Sequence, residues 1–157
     1  MANPRIYPRS SRPLVSSHSL VIICINTRSD FLDKVILDFA ILQHHPLFIL
    51  SPSMSGGISL PYLFNRGNEK LAGFIAVAPV GGPDPRNVEK FERVEIPVQI
   101  VYGEEDGNLG VKGMKVMKSV PNHEIVMIPG GKHPCYLDDP DLFHTSIIQF
   151  MQDNSRD

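Results

Sequence analysis

The apolar residues of this chain fall into short continuous runs, separated by polar, glycine-rich or proline-rich segments. Continuous runs are typical of strands that are buried on both faces of a parallel sheet, whereas a sheet with one wet face gives alternating runs. The pattern predicts strands over residues 20–25, 47–50, 74–78, 98–102 and 124–128.

Between and after these runs, apolar residues recur at helical spacing. Ser29 or Asp30 is suited to cap the first predicted helix, and Pro61 should limit or kink the helix that follows Ser55. Strand 20–25, the first helix and strand 47–50 would form a βαβ unit with a right-handed crossover. The helices are predicted over residues 31–43, 87–93, 111–120 and 139–151.

The alternation of strands and helices predicts an α/β fold, with a mostly parallel sheet of about five strands and helices on both faces. Residues 1–19 are predicted to be a flexible arm, because they hold five serines, three prolines and three arginines but no acid. Residues 20–157 are predicted to form a single domain. The apolar run at 20–25 is too short to span a membrane or to serve as a signal sequence.

Composition excludes several classes of function. The net charge is −2 without a basic stripe, so nucleic acid is not an expected partner. Cys24 and Cys135 are too few for a disulfide framework, which fits a reducing compartment. The histidines lack metal-ligand spacing, and the glycine pairs do not form a dinucleotide-binding fingerprint. Neither a metal nor a bound cofactor is therefore predicted.

Small residues with Ser53 at their centre follow the apolar run that ends at Leu50. A buried strand, a strained turn that carries a nucleophile, and a helix whose first amides face an oxyanion make up a nucleophile elbow. The usual elbow has glycine at the two flanking positions that Ser51 and Ser55 occupy here. An ordinary serine-rich turn is the alternative interpretation.

The ends of two later strands carry candidate partners for Ser53. Glu104, Glu105 and Asp106 follow one strand, and His133 follows the next. Serine, acid and histidine in this order, each just past a strand, is the arrangement of α/β-hydrolases. The carboxyl ends of parallel strands share one edge of the sheet, where their loops converge. Asp106 is favoured as the acid, with the two glutamates as alternatives.

Each residue of such a triad has a defined role. His133 would take the proton of Ser53 while Asp106 holds the imidazole in the required tautomer. The backbone amide of Met54 is the expected oxyanion donor. The second donor of this fold comes from a glycine-containing loop after an earlier strand, yet the first fifty residues contain no glycine. Cys135 is a rival nucleophile that lacks an elbow.

Several strings resemble the alpha/beta-hydrolase domain-containing protein 14 family, whose members include the CCG1-interacting factor B type. The resemblance runs from about residue 31 to residue 151 and implies Ser53 as nucleophile, Asp106 as orienting acid and His133 as general base. The strings are Ser-Pro-Ser-Met-Ser-Gly at 51–56, Ser-Leu-Pro-Tyr-Leu at 59–63, Val-Tyr-Gly at 101–103 with Asp106, Pro-Asn-His at 121–123 and His-Pro-Cys-Tyr-Leu-Asp at 133–138.

The same resemblance implies a serine hydrolase or acyltransferase that acts on small, acetyl-type esters or amides. It names acetylated lysine as a candidate acyl donor and coenzyme A as a candidate acceptor, in the cytoplasm or the nucleus. A length of 157 residues is short for an eight-stranded hydrolase sheet, so a truncated or replaced N-terminal part is expected. The alternative is a catalytically weak or inactive truncated hydrolase that binds a protein partner.

Overall fold

A computed structural model of the chain describes residues 28–39, 45–80, 83–107 and 109–155. The predicted strand at 20–25 lies outside these residues, and the division into an arm at 1–19 and a domain from residue 20 stays a prediction. The strands are β1 (Phe48–Pro52), β2 (Gly73–Val77), β3 (Val98–Gly103) and β4 (His123–Ile128). The helices are α1 (Arg28–Asp38), α2 (Gly56–Tyr62), α3 (Asn68–Lys70), α4 (Val88–Glu92), α5 (Leu109–Met117), α6 (Cys135–Asp138) and α7 (Pro140–Asn154).

The described strands form one parallel sheet in the order β1-β2-β3-β4. Phe48 pairs with Gly73, and Val98 lies between Phe74 and His123 in the register. All five residues of β2 are buried, which explains why its apolar run is continuous. The predicted α/β architecture is confirmed, with four strands in the described part of the chain.

Helices cover both faces of this sheet. Helices α1, α2, α4 and α5 pack on one face, and α6 and α7 pack on the other. Each large apolar side chain that is buried in this way contributes roughly 1.5–3 kcal/mol to folding. The core of the first face includes Leu60, Tyr62, Leu63, Phe74, Phe91, Ile100, Met114 and Met117. The core of the second face includes Ile75, Val77, Val101, Ile128, Cys135, Phe143, Ile147 and Phe150.

The first helix differs from its prediction at both ends. Ser29 and Asp30 lie inside α1 and do not cap it, and the helix ends at Asp38 rather than near Gln43. Ser29 is buried, and its hydroxyl accepts a hydrogen bond from Asn65 Nδ2 at 3.3 Å. Its polar group therefore ties α1 to the segment after α2, a tertiary role that local spacing does not reveal.

The other helices lie close to their predicted positions. α4 is preceded by a 3₁₀ turn over Pro85–Asn87, where the Asp84 side chain accepts a hydrogen bond from the Arg86 amide at 2.8 Å. α7 begins as predicted, since Asp139 caps it by accepting a hydrogen bond from the Leu142 amide at 2.9 Å. The short α6 was not predicted.

Pro61 changes the geometry of its helix without ending the helical path. α-helical geometry stops at Tyr62, and a π-helical turn continues over Leu63–Gly67. Proline has no amide hydrogen to donate to the carbonyl of Gly57, one turn earlier. The Arg28 guanidinium donates to that carbonyl instead. This bond fixes the start of α1 beside the helix that follows β1.

Candidate active site

Ser53 occupies the turn between β1 and the helical segment that leads into α2. Its φ is +47°, in the left-handed region that favours glycine. Such a backbone costs on the order of 1–3 kcal/mol and persists only where the surrounding structure holds it. A 3₁₀ turn over Ser53–Ser55 follows at once. The sharp, strained turn that the elbow hypothesis requires is present.

Hydrogen bonds to Ser59 hold the two serines that flank Ser53, at the positions where other elbows have glycine. Ser51 and Ser59 are both buried, and their hydroxyl oxygens lie 2.6 Å apart. Ser59 donates its own hydrogen to the carbonyl of Ser55 at 3.1 Å, so Ser51 must donate to Ser59. The chain of two hydroxyl groups links β1 to the first turn of α2.

The structure brings Ser53, His133 and Asp106 together in one hydrogen-bonded line. Ser53 Oγ lies 2.8 Å from His133 Nε2. On the other side of the ring, His133 Nδ1 lies 2.8 Å from Asp106 Oδ2. A carboxylate only accepts hydrogen bonds, so the ring hydrogen lies on Nδ1 and the lone pair of Nε2 faces the serine hydroxyl.

Asp106 is held in place from its other side by α5. The Gly110 amide donates to Asp106 Oδ2 at 3.1 Å, and the aspartate is 7% exposed. A β-carbon at Gly110 would lie 2.1 Å from that oxygen, so glycine is what allows the helix to approach. The amide and the imidazole together compensate the buried carboxylate for its lost hydration.

The two competing acids lie elsewhere. Glu104 and Glu105 are exposed, and Glu104 Oε2 accepts a hydrogen bond from the Gly130 amide at 2.9 Å. Neither glutamate is hydrogen-bonded to His133, so of the three candidate acids Asp106 is the one that the fold places against the imidazole.

Met54 follows Ser53 in the 3₁₀ turn, and its side chain is 70% exposed. The first amides of a helical segment have no acceptor within the helix, so the Met54 amide stands at a position suited to an oxyanion. The second oxyanion donor of this fold comes from a loop after an earlier strand, and the predicted strand at 20–25 lies outside the described residues.

Cys135 is fully buried on the α7 face of the sheet, within the cluster that contains Ile128 and Phe143. Burial raises the pKa of its thiol above the ordinary value, so the sulfur stays protonated at neutral pH. A protonated and buried thiol is a poor nucleophile. This agrees with the sequence, which has no nucleophile elbow around Cys135.

The described residues contain no group of three His, Cys, Asp or Glu side chains that is arranged to hold a metal ion. His123, for instance, donates from Nδ1 to the Val120 carbonyl at 2.6 Å, which is a structural role. Across the same part of the chain, no helix has the length and apolar character that crossing a membrane would take.

Curated proteins are similar to this chain in sequence. The chain is 40% identical over 111 residues to human ABHD14B, whose name describes it as a candidate protein-lysine deacylase. It is 41% identical over 105 residues to the zebrafish protein ABHD14A. These matches cover 71% and 66% of this chain but 51% and 37% of the relatives. The chain therefore spans about half, or less, of the relatives' length. No protein-family model matches it.

Solved structures share the fold at low sequence identity. A predicted CIB-like hydrolase from Thermoplasma acidophilum aligns with a TM-score of 0.69 and 17% identity, covering 80% of this chain and 58% of that one. The esterase RhEst1 from Rhodococcus aligns with a TM-score of 0.68 and 15% identity, covering 80% and 71%. Both likenesses support a shortened α/β-hydrolase fold.

Proposed function

This chain belongs to the ABHD14 family of α/β-hydrolases, and on that premise we propose that it is a serine hydrolase or acyltransferase for small acyl esters or amides. The observation that carries the proposal is the line of two 2.8 Å contacts from Ser53 through His133 to Asp106. The strained backbone at Ser53 supports it, because strain of this kind is concentrated at functional sites.

In the proposed reaction, Ser53 Oγ attacks the carbonyl carbon of the acyl group while its proton passes to His133 Nε2. The new C–O bond turns the carbonyl into a tetrahedral oxyanion. When that intermediate collapses, the bond to the leaving amine or alcohol breaks and His133 returns the proton to it. Asp106 stays ionised throughout and stabilises the imidazolium. Water, or another acyl acceptor, then releases the acyl group by the same steps in reverse.

The Met54 amide is the proposed oxyanion donor, because it directly follows the nucleophile at the start of a helical segment. A second donor is usual in this fold, and the absence of one typically lowers turnover about 10²- to 10³-fold. With the Met54 amide as its one donor, the site would therefore catalyse acyl transfer slowly.

The proposed substrate class follows from the relatives. Human ABHD14B is named for deacylation of protein lysine, so an acetylated lysine side chain is the proposed acyl donor. Coenzyme A is the proposed acceptor if the enzyme transfers the group rather than releasing it to water. The proposed location is the cytoplasm or the nucleus, where such a substrate and acceptor are found together.

A second function is a protein-interaction module without turnover. It is favoured by the coverage of the relatives, since the chain spans about half of human ABHD14B. Among the described strands, β1 pairs only with β2, and an edge strand can pair with another polypeptide where no strand of its own chain covers it. The two functions differ in whether Ser53 is activated.

Labelling by a serine-directed fluorophosphonate distinguishes them. Wild type should be labelled, Ser53→Ala should not, and Ser55→Ala should react like wild type because the Ser55 side chain is exposed and lies outside the hydrogen-bonded line. If the folded wild type is not labelled, the hydrolase proposal fails and the interaction module is favoured. A labelled protein is then given acetyl-lysine peptides with and without coenzyme A, and the products are identified by mass spectrometry.

A further inference from the structure

The loop that carries His133 runs from residue 129 to residue 134, and we call it the histidine loop. It follows β4, it contains Gly130 at φ +63°, and all its residues except Gly131 and His133 are exposed. His133 must nevertheless keep 2.8 Å contacts on both sides of its ring. A displacement of about 1 Å in such a site can lower the rate about 10²-fold, so something must hold this loop.

Two carboxylates from different parts of the fold accept hydrogen bonds from backbone amides of the loop. Glu104, at the end of β3, accepts the Gly130 amide on Oε2 at 2.9 Å. Asp138, at the end of α6, accepts the Lys132 amide on Oδ2 at 2.7 Å. This second bond fixes the peptide group between Gly131 and Lys132, one residue before the histidine.

The same peptide group is also held at its carbonyl end. The carbonyl of Gly131 accepts the Glu105 amide at 2.8 Å. The loop lies so close to β3 that a β-carbon at Gly103 would come within 2.3 Å of the carbonyls of Gly131 and Lys132. Hydrogen bonds therefore join the histidine loop to the loop that carries Asp106.

We propose that Glu104 and Asp138 are positioning residues for His133, an inference that rests on the proposed function. Neither carboxylate is hydrogen-bonded to Ser53 or to the imidazole, and each is bonded to a backbone amide of the histidine loop instead. Each acts by fixing an amide of the histidine loop, and a bond from an amide to an ionised carboxylate is stronger than one to a neutral oxygen. Glu104, one of the three candidate acids in the sequence, thus serves the triad indirectly.

The test compares three alanine variants with two amide variants. The alanine variants are Glu104→Ala, Asp138→Ala and the double variant, and the amide variants are Glu104→Gln and Asp138→Asn. The amide variants keep an acceptor oxygen at each position. Glu105→Ala and Asp141→Ala are matched controls, since both side chains are exposed acids close by in the sequence. The first measurement is the rate of fluorophosphonate labelling, resolved into reagent affinity and maximal rate. Thermal unfolding confirms that each variant is folded.

We expect the double alanine variant to lose about 10- to 100-fold in maximal labelling rate with reagent affinity unchanged. The Gln and Asn variants should recover most of that rate, and the controls should match wild type. A purely structural role would lower the melting temperature without this selective loss and without recovery. Equal maximal rates in the alanine variants and the controls would overturn the proposal.

A second measurement does not depend on activity. Hydrogen exchange of the amides at 130–133 and the proton resonance of His133 Nδ1–H report the loop and its bond to Asp106 directly. We expect faster exchange and a weakened resonance in the alanine variants, but not in the controls. If wild type is never labelled, the proposed function fails, and this measurement alone decides whether the two carboxylates position the imidazole. Unchanged exchange and resonance would refute it.

Discussion

The imidazole Nε2 of His133 lies 2.8 Å from the hydroxyl oxygen of Ser53, a residue 80 positions earlier in the chain. The parallel sheet makes this contact, because the loops after β1 and β4 leave the same edge. The loop after β3 brings Asp106 to the far side of the ring. The loops after three separate strands thus bring these residues into one hydrogen-bonded line.

Asp106→Asn should inactivate the site without unfolding the protein. The Gly110 amide and His133 Nδ1 both contact Asp106 Oδ2. An asparagine oxygen in that place would keep both bonds but carry no charge to stabilise the imidazolium. An NH₂ group there would favour the tautomer with hydrogen on Nε2, so that Ser53 faces a donor instead of a base, and the rate should fall about 10³- to 10⁴-fold. The check is the rate of fluorophosphonate labelling at neutral pH, with Glu105→Gln as the control. Labelling of Asp106→Asn at the control's rate would remove Asp106 from the triad.

Gly110→Ala should displace the Asp106 carboxylate, even though alanine favours the helical conformation of α5. Alanine has a helix propensity about 1 kcal/mol better than glycine, but its β-carbon would lie 2.1 Å from Asp106 Oδ2. The carboxylate must move, so labelling of Ser53 should slow at least tenfold. Gly107→Ala is the matched control, because its β-carbon meets no atom nearer than 4.0 Å. If both variants react at the same rate, the approach of α5 does not position Asp106.

The hydroxyl pair of Ser51 and Ser59 should behave as a unit. Ser59→Ala leaves the buried Ser51 hydroxyl without an acceptor, at a cost of about 1–3 kcal/mol in the free energy of unfolding. Ser51→Ala should cost less, because Ser59 still donates to the Ser55 carbonyl. The double substitution removes both groups and should cost less than the sum of the single ones. Urea unfolding of the four proteins gives the coupling energy. Additive effects would show that the hydroxyl groups act independently.

The sequence predicted the sheet and the three partners because these depend on local signals. The four apolar runs that lie among the described residues are strands, and the loops after three of them carry Ser53, Asp106 and His133. The roles of Glu104 and Asp138 could not be predicted, because they depend on how closely the histidine loop approaches β3. Glycines at 103, 130 and 131 were the available signal.

The ends of the first helix show the same limit. Ser29 looks like a cap by its type and place, yet it is buried against Asn65 on another helical segment. Side chains of this kind serve equally well as caps and as tertiary contacts, so local spacing cannot distinguish the two.

Tyr62→Phe should change how stability depends on alkaline pH. The ring is fully buried, and its hydroxyl has no hydrogen-bond partner of good geometry among the described residues. Burial and the nearby Asp33 carboxylate raise the pKa of Tyr62 from 10.0 to about 12. Between these two values the unfolded chain releases a proton that the folded chain keeps. Stability should therefore fall as pH rises, by about 1.4 kcal/mol per pH unit.

The phenylalanine variant lacks this titration, so its free energy of unfolding should fall less steeply than that of wild type between pH 10 and 12. At pH 7 the phenylalanine variant should be at least as stable as wild type, because the substitution removes a buried hydroxyl that lacks a hydrogen-bond partner of good geometry among the described residues. Urea unfolding across this pH range makes the comparison, and Tyr136→Phe, which alters an exposed ring, is the control. Lysine and cysteine titrations are common to all three proteins and cancel. Equal slopes for wild type and Tyr62→Phe would show that the buried phenol does not govern alkaline stability.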